Sequence, residues 1–422
     1  MGVSLLTMIR VFVPFASGYF ISYLFRVVNA VIAPDLVTDV GLGPSSLGLL
    51  TSTYFIAFAS SQLPLGVLLD RFGPRRVEAF LLLFAGLGAY LFSRSESLIG
   101  LVAARAFIGF GVSACLMAAF KAYTLWFPKE KWPLVNGFQM AAGGMGALAA
   151  TAPVEAALHV TDWRGVFMVL AGLTLLVALA VTTVVPEKPS SGSGERFSDQ
   201  LQGVKTVFTS LEFWRTAPLT TLSQASFLSI QGLWAGPWLK DVAGLDRPSV
   251  AGVLMWVAVA MVAGFILLGA LSERLSRAGI SVLTTAVTGM NLFLFVQILL
   301  IFAPGSWTRP LWVLFGFFGT SGILTYAALS QRFPIQLSGR VTTAVNLLVF
   351  VTAFIGQWAI GGIIGLWPVD AGGGYALAGY RAGFALMFGL QVVTLIWFFV
   401  AGRMLKDRGM ESFGNGSISG TG

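Results

Sequence analysis

The chain has 422 residues, 56% of them hydrophobic and 10% charged, with a mean hydropathy of +0.83. Soluble domains carry about a quarter charged residues, so the composition excludes a soluble globular protein and leaves a polytopic membrane protein. The formal net charge of +8 is spread over short loops, which points to membrane topology and not to nucleic acid.

Apolar runs fall near 11–33, 46–69, 77–94, 98–124, 133–157 and 164–185, then 216–239, 249–271, 280–303, 310–330, 340–366 and 381–402. Each is close to the roughly 20 residues a spanning helix needs. The first continues to about Ile32 with no small-residue cleavage pattern after it, so it reads as a spanning helix and not a signal peptide. One long polar interval, with Pro189-Ser-Ser-Gly-Ser-Gly194, has linker composition. The expected organisation is a bundle over 1–186, a cytoplasmic linker over 187–213, a second bundle over 214–404 and a disordered tail over 405–422.

Lys and Arg in short loops set orientation. With the N-terminus inside, seventeen of the 26 fall on cytoplasmic flanks, among them Arg71, Arg75, Arg76, Lys129, Lys131, Arg274, Arg277 and Arg403. Six fall outside (Arg94, Arg164, Lys240, Arg247, Arg309, Arg381), and Arg26, Arg105 and Lys121 lie within helices. Both termini are therefore expected in the cytoplasm of a cell with the protein in its inner membrane. The halves also repeat. Gly41-Leu-Gly-Pro44-Ser-Ser-Leu-Gly48 precedes the second run and Gly244-Leu-Asp-Arg-Pro248-Ser-Val-Ala-Gly252 the eighth. These runs end Gly66-Val-Leu-Leu-Asp70-Arg71 and Gly269-Ala-Leu-Ser-Glu273-Arg274. Parallel repeats with a site at their interface are a transporter architecture.

Gly66-x-Leu-x-Asp70-Arg71-x-Gly73-x-Arg75-Arg76 resembles the signature between the second and third helices of the major facilitator superfamily, with every position filled. Arg105-x-x-x-Gly109-x-Gly111 is similar to that family's second motif. The resemblance implies an all-α membrane protein with twelve transmembrane helices in two pseudo-symmetric six-helix bundles, working by alternating access. It further implies that the signature latches the halves on the cytoplasmic side, with Glu273 and Arg274 as its degenerate second copy. Physically, Gly66 permits close helix approach, and Asp70 near a helix N-terminus gains about 0.3–1 kcal/mol. The alternative is that these residues only set topology and loop shape. Arg105 is implied to support conformational coupling, against a plain hydrogen-bonding role between helices.

An ionisable group within the hydrocarbon region is expensive and marks a site by default. Arg26 lies in Tyr23-Leu-Phe-Arg26-Val-Val-Asn29, with no acid one turn away. It either snorkels, since Ile32 is only about 9 Å further along, or holds an anion. Its Arg-x7-Pro spacing to Pro34 resembles the first helix of the organophosphate and anion:cation branches, where the arginine is implied to hold the substrate's anionic group. Guanidinium suits carboxylate or phosphate because it binds them bidentately. Asn29 and Lys121 are further candidates, the latter against snorkelling at the cytoplasmic end. In the seventh run Gln224 and Gln231 share a face, Trp234 follows, and Gly236-Pro237 should bend the helix. By the repeat, Gln231 is expected to face Arg26. Asn346, Gln357 and Tyr326 complete the candidate lining, and interhelical packing is the alternative for all of them.

The fifth run, with Gly137, Gly143, Gly144, Gly146 and Ala152-Pro153, only loosely resembles the antiporter motif, because alanine replaces the glycine before proline. That weakens a drug-efflux reading. Coupling carboxylates are reduced to Asp35 and Glu155, both near outer helix ends. Coupling to protons through Glu155, by symport or antiport, stands open beside exchange for a counter-anion or uniport, neither of which needs a buried acid. A lone Cys115 and a lone His159 supply no disulfide framework and no histidine cluster for a metal. No catalytic triad, Walker loop or metal motif is present, so neither an enzyme nor an ATP-driven pump is expected, and no cofactor. The expectation is a monomeric secondary transporter of a small organic anion, with a proton-coupled drug or metabolite exporter as the alternative.

Overall fold

A computed structural model describes residues 5–128, 132–187, 197–302, 305, 307–334, 337–369 and 373–415. Their regular structure is helical throughout. α1 (Leu5–Val27) and α2 (Asn29–Val40) form one long rod interrupted at Val28, and α3 (Pro44–Ser60) and α4 (Gln62–Phe72) a second, interrupted at Ser61. α5 (Pro74–Arg94) returns through the bundle. It is followed by α6 (Leu98–Gly111) with α7 (Cys115–Trp126), α8 (Trp132–Ala149) with α9 (Ala152–Leu158), and α10 (Trp163–Val184). α11 (Phe197–Phe208) occupies the polar interval between the halves and lies against the penultimate helix.

The second half begins with α12 (Leu211–Ser229), a π-helical turn at Ile230–Trp234 and α13 (Ala235–Asp241). α14 (Arg247–Arg277), α15 (Val282–Phe302), α16 (Thr308–Phe318) with α17 (Leu324–Ser330), α18 (Ser338–Ile364) and α19 (Leu377–Asn415) follow. Nine helical spans among the described residues are long and apolar enough to cross a membrane. The interrupted pairs α3–α4, α8–α9 and α12–α13 occupy the places of the other three expected runs.

Local chemistry accounts for many of the ends. Pro44, Pro74 and Pro248 sit in first turns, where their missing N–H is no loss. Ser97 and Asp162 cap α6 and α10 by accepting from the amides of Gly100 and Gly165. The bend expected at Gly236-Pro237 appears one turn earlier, as the π-helical turn. Pro237 gives no N–H to the carbonyl of Leu233 and crowds it, and the Ala235 amide reaches back to the Ile230 carbonyl instead.

Large apolar side chains face outward all around the bundle. Ile99 is 83% exposed, and Phe80, Leu176, Phe295 and Val393 are likewise exposed. On a soluble monomer such a surface marks a contact site. Around spans of this length it is the lipid face of a multi-pass membrane protein. Within the first half α5 packs on α6 and α10, and α1 on α8; within the second α12 packs on α18 and α19. The halves meet chiefly along α3 and α18, along α8–α9 and α14, and along α2 and α13.

Pro189–Gly194 and the lysines 129 and 131 lie outside the described residues. Helix α11 lies within the expected linker, and α19 runs to Asn415, into the interval read as a disordered tail.

Candidate functional site

A cavity of about 80 Å³ lies between the two bundles. Tyr23 and Arg26 of α1 and Gln62 of α4 face it from the first half, and Gln224, Tyr326 and Asn346 from the second. Arg26 is 6% exposed, and its Nε has no hydrogen-bond partner. Four aromatic rings surround its guanidinium. The centroid of Tyr23 is 4.3 Å away, Phe350 5.2 Å, Phe58 5.7 Å and Tyr54 6.0 Å. Cation–π contacts give about 0.5–2 kcal/mol each, which offsets part of the burial cost of a charge. They do not neutralise it, and among the described residues no carboxylate is in ion-pair range of Arg26. The cavity thus presents an uncompensated cation to whatever enters it.

Asn346 donates to Gln62 Oε1 at 3.1 Å, a hydrogen bond that crosses between the halves beside Arg26. Phe58 and Phe350 stack across the same seam at 4.3 Å. Gln62, Tyr23, Phe58 and Phe350 were not singled out from the sequence. The usable signal for Gln62 was a polar side chain inside an apolar run, overlooked because the charged signature follows so closely.

Other candidates are drawn elsewhere. Asn29 donates to Thr51 Oγ1 at 3.0 Å and knits α2 to α3. Trp234 donates to the Gln357 carbonyl at 2.9 Å, and the Gln357 amide donates to the Ser229 carbonyl at 3.2 Å. These two residues bind the seventh and eleventh runs together. Gln231 is buried in the π-helical turn, and neither it nor Lys121 lines the cavity. The repeat places Gln231 at the right depth, but the π-helical turn rotates the chain there by part of a turn relative to an ideal helix.

In the signature, Gly73 has φ +78°, the left-handed region that favours glycine, and turns the chain from α4 into α5. Arg75 donates to the Thr182 carbonyl and Arg76 to Glu187, so both hold the loop to the end of α10 within its own half. Gly66 and Arg71 are exposed, and the side chain of Asp70 lies outside the described residues. Glu273 pairs with Arg277 on the exposed end of α14, where Arg274 is also exposed. Arg105 is wholly buried, 5.1 Å from the Tyr54 ring centroid, and its three guanidinium nitrogens have no hydrogen-bond partner.

At the far end from the signature, Arg247 gathers both coupling candidates. It binds Asp35 bidentately, Nη1 to Oδ1 at 2.7 Å and Nη2 to Oδ2 at 2.5 Å. Its Nε donates to Glu155 Oε2 at 2.7 Å, and His159 Nε2 lies 4.0 Å from the other Glu155 oxygen. This cluster joins the first half to the second. Beside it the backbones nearly touch. A Cβ on Gly236 would lie 2.1 Å from the Ala30 carbonyl oxygen, and one on Gly361 2.4 Å from that of Pro44. Pro34, lacking an N–H, leaves that Ala30 carbonyl without its usual helical donor. The end bearing Arg247 is closed.

Two helical bundles around an inter-bundle cavity, closed at one end, make up a multi-pass membrane protein. The Major Facilitator Superfamily profile matches residues 15–357, and the chain belongs to that family. It is 27% identical over 272 residues to a probable sulfoacetate transporter of Cupriavidus necator. That match covers 61% of this chain and 63% of the relative, less than two thirds of the relative's length. It is 22% identical over 381 residues to a probable galactarate/D-glucarate transporter of Escherichia coli, covering 81% of this chain and 83% of that one. Among solved structures it is similar to a bacterial homolog of the human lysosomal transporter Spinster in an inward-facing, occupied conformation. The TM-score is 0.77 at 18% identity, over 96% of this chain and 99% of the other. A D-xylose–proton symporter aligns with a TM-score of 0.71 at 17% identity, over 91% and 97%. The chain is thus a member of the major facilitator superfamily with that family's fold.

Proposed function

We propose that the chain moves a small organic anion, a carboxylate or sulfonate, through the cavity between its bundles, with Arg26 as the anion-binding residue. The observation that carries this reading is Arg26 itself: buried, ringed by aromatic side chains and without an anionic partner. A charge at membrane depth is stable when it is paired, and here the solute supplies the pair. Gln62, Gln224, Tyr326 and Asn346 offer neutral donors and acceptors for the rest of the solute. The cargoes for which two relatives are named, sulfoacetate and galactarate/D-glucarate, are organic acids of this kind.

In this reading the two bundles rock about the cavity. The Arg247–Asp35–Glu155 cluster closes the outer end, and the signature loop closes the cytoplasmic end with Asp70. Both termini lie in the cytoplasm of a cell whose inner membrane holds the protein, following the lysine and arginine distribution. The test is a thermal-shift screen of purified protein against sulfoacetate, D-glucarate and lipophilic cations. A bound ligand stabilises by RT ln(1 + [L]/Kd), about 2.7 kcal/mol at 100 Kd. Stabilisation by an organic anion that disappears in Arg26→Ala is the expected result. Stabilisation by lipophilic cations alone would overturn the anion reading.

A further inference from the structure

Glu78 stands in the second turn of α5 and is wholly buried. Neither of its carboxylate oxygens has a hydrogen-bond partner of good geometry, and the polar group beside it is the weakly donating Cys115 thiol. Helices α1 and α7 close around it. A Cβ built on Gly18 of α1 would come within 2.2 Å of Glu78 Oε1, and the same point is 3.7 Å from the Cys115 Sγ of α7. The missing side chain of Gly18 is therefore what gives the carboxyl its space.

Apart from the Cys115 thiol, the charged and titratable groups around it are occupied or distant: Lys121 of α7 is engaged and Arg10 of α1 is exposed. Cys115 and Tyr123 face it from α7, and the Tyr123 hydroxyl donates to Gln139 Oε1 at 2.7 Å. Arg26 of α1 lies two helical turns past Gly18, about 12 Å along the axis. On α6, Arg105 sits beneath the Tyr54 ring. On α10, Arg164 lies at the opposite end, 3.4 Å from Asp39. On α4, Arg71 is exposed. Along its own helix Arg75 and Arg76 turn outward to Thr182 and Glu187. Among the described residues no cation pairs with Glu78.

An ionised carboxylate left unpaired in apolar surroundings is so costly that the group takes a proton instead. Glu78 is then a neutral carboxylic acid in this conformation, which is closed at the Arg247 end. Its position links that proton to motion. Glu78 follows the Gly73 turn of the signature by five residues, so rearrangement of that turn is what would admit water to it. On its other side it presses on α1, the helix that carries Arg26.

We propose that Glu78 is a proton-binding site of the transport cycle, loaded in this conformation and discharged when the signature turn moves. The inference rests on the transport reading above and adds its coupling ion. The chemistry is a single O–H bond, formed with a proton from water on one side of the membrane and broken to water on the other. No redox partner is needed.

Two measurements on the full chain in lipid vesicles test it. Infrared difference spectra on raising the pH should show loss of a protonated-carboxyl C=O band in the wild type. Glu78→Gln, a neutral isostere, should lack that band, and Glu78→Asp should retain a shifted one. Identical wild-type and Glu78→Gln spectra would overturn the proposal whatever the cargo. In the second measurement, D-glucarate or sulfoacetate accumulation driven by an imposed pH gradient should be lost in Glu78→Gln, while exchange at equal pH continues. Gradient-driven accumulation that survives in Glu78→Gln also overturns it. If neither anion enters wild-type vesicles in either mode, the cargo reading fails for those anions and the infrared result still decides Glu78.

Discussion

Arg26 and Glu78 are both charged-type side chains buried at membrane depth, yet their surroundings give them opposite states. Arginine stays a cation in proteins, so its burial is tolerated by aromatic faces and, in the proposed function, completed by an anion from outside. A carboxyl can shed its charge by taking a proton, so it tolerates a site with no partner at all. Lysine at position 26 would keep the charge but lose the planar fork and the stacking surface. Hydrogen bonds to a charged group contribute about 1.5–3 kcal/mol, so Arg26→Lys should weaken anion binding by about 10–100-fold, with membrane insertion unchanged. Uptake at the wild-type rate in Arg26→Lys would remove Arg26 from the site. Gln62→Ala, which leaves the Asn346 amide without its acceptor, should raise KM severalfold with little change in expression. A KM equal to that of the wild type would show the Gln62–Asn346 bond to be packing alone.

At the scale of the element, the interrupted helices matter more than the straight ones. α1–α2 and α12–α13 are the halves' corresponding first members, and both are perturbed by proline, at Pro34 and Pro237. Their ends beside Arg247 approach so closely that only hydrogen fits on Gly236. Valine there cannot coexist with the Ala30 carbonyl, so Gly236→Val should hold the Arg247 end apart. A reporter cysteine at Val31, in a Cys115→Ser background, should then react faster with an impermeant maleimide than in the same background with Gly236. Equal rates would show that this contact is not part of the closure.

For the whole molecule, one ionic cluster holds the halves together across separations of 212 residues to Asp35 and 92 to Glu155. Arg247 is 37% exposed at the side chain, so screening by solvent limits what each pair contributes. Even about 1 kcal/mol shifts a two-state ratio about fivefold, which is enough to redistribute a carrier between conformations. Arg247→Glu should increase maleimide access at Val31→Cys, and Asp35→Arg combined with Arg247→Asp should recover part of the closure. If the single charge reversal leaves accessibility unchanged, the cluster is surface decoration and not a gate.

The apolar runs, the repeat and the signature are properties of neighbouring residues, so the sequence by itself determined the membrane class, the bundle architecture and the family. It also singled out Arg26, because a charge surrounded by apolar neighbours stands out without a structure. It ranks Asp35 and Glu155 as acids near helix ends but cannot pair them with Arg247, which in one dimension is only a loop arginine. Glu78 went unnoticed because it sits one turn from Arg75 and Arg76, where a charge reads as loop chemistry. Only the packing of α1, α5 and α7 reveals that it points inward, beside a thiol and away from any described cation. The π-helical turn likewise moved Gln231 away from the cavity that its place in the repeat assigns. Periodicity and composition are local and survive in one dimension. Which face of a helix meets which, and so which charge is paired, buried or offered to a solute, is set by contacts between distant segments and belongs to the tertiary structure alone.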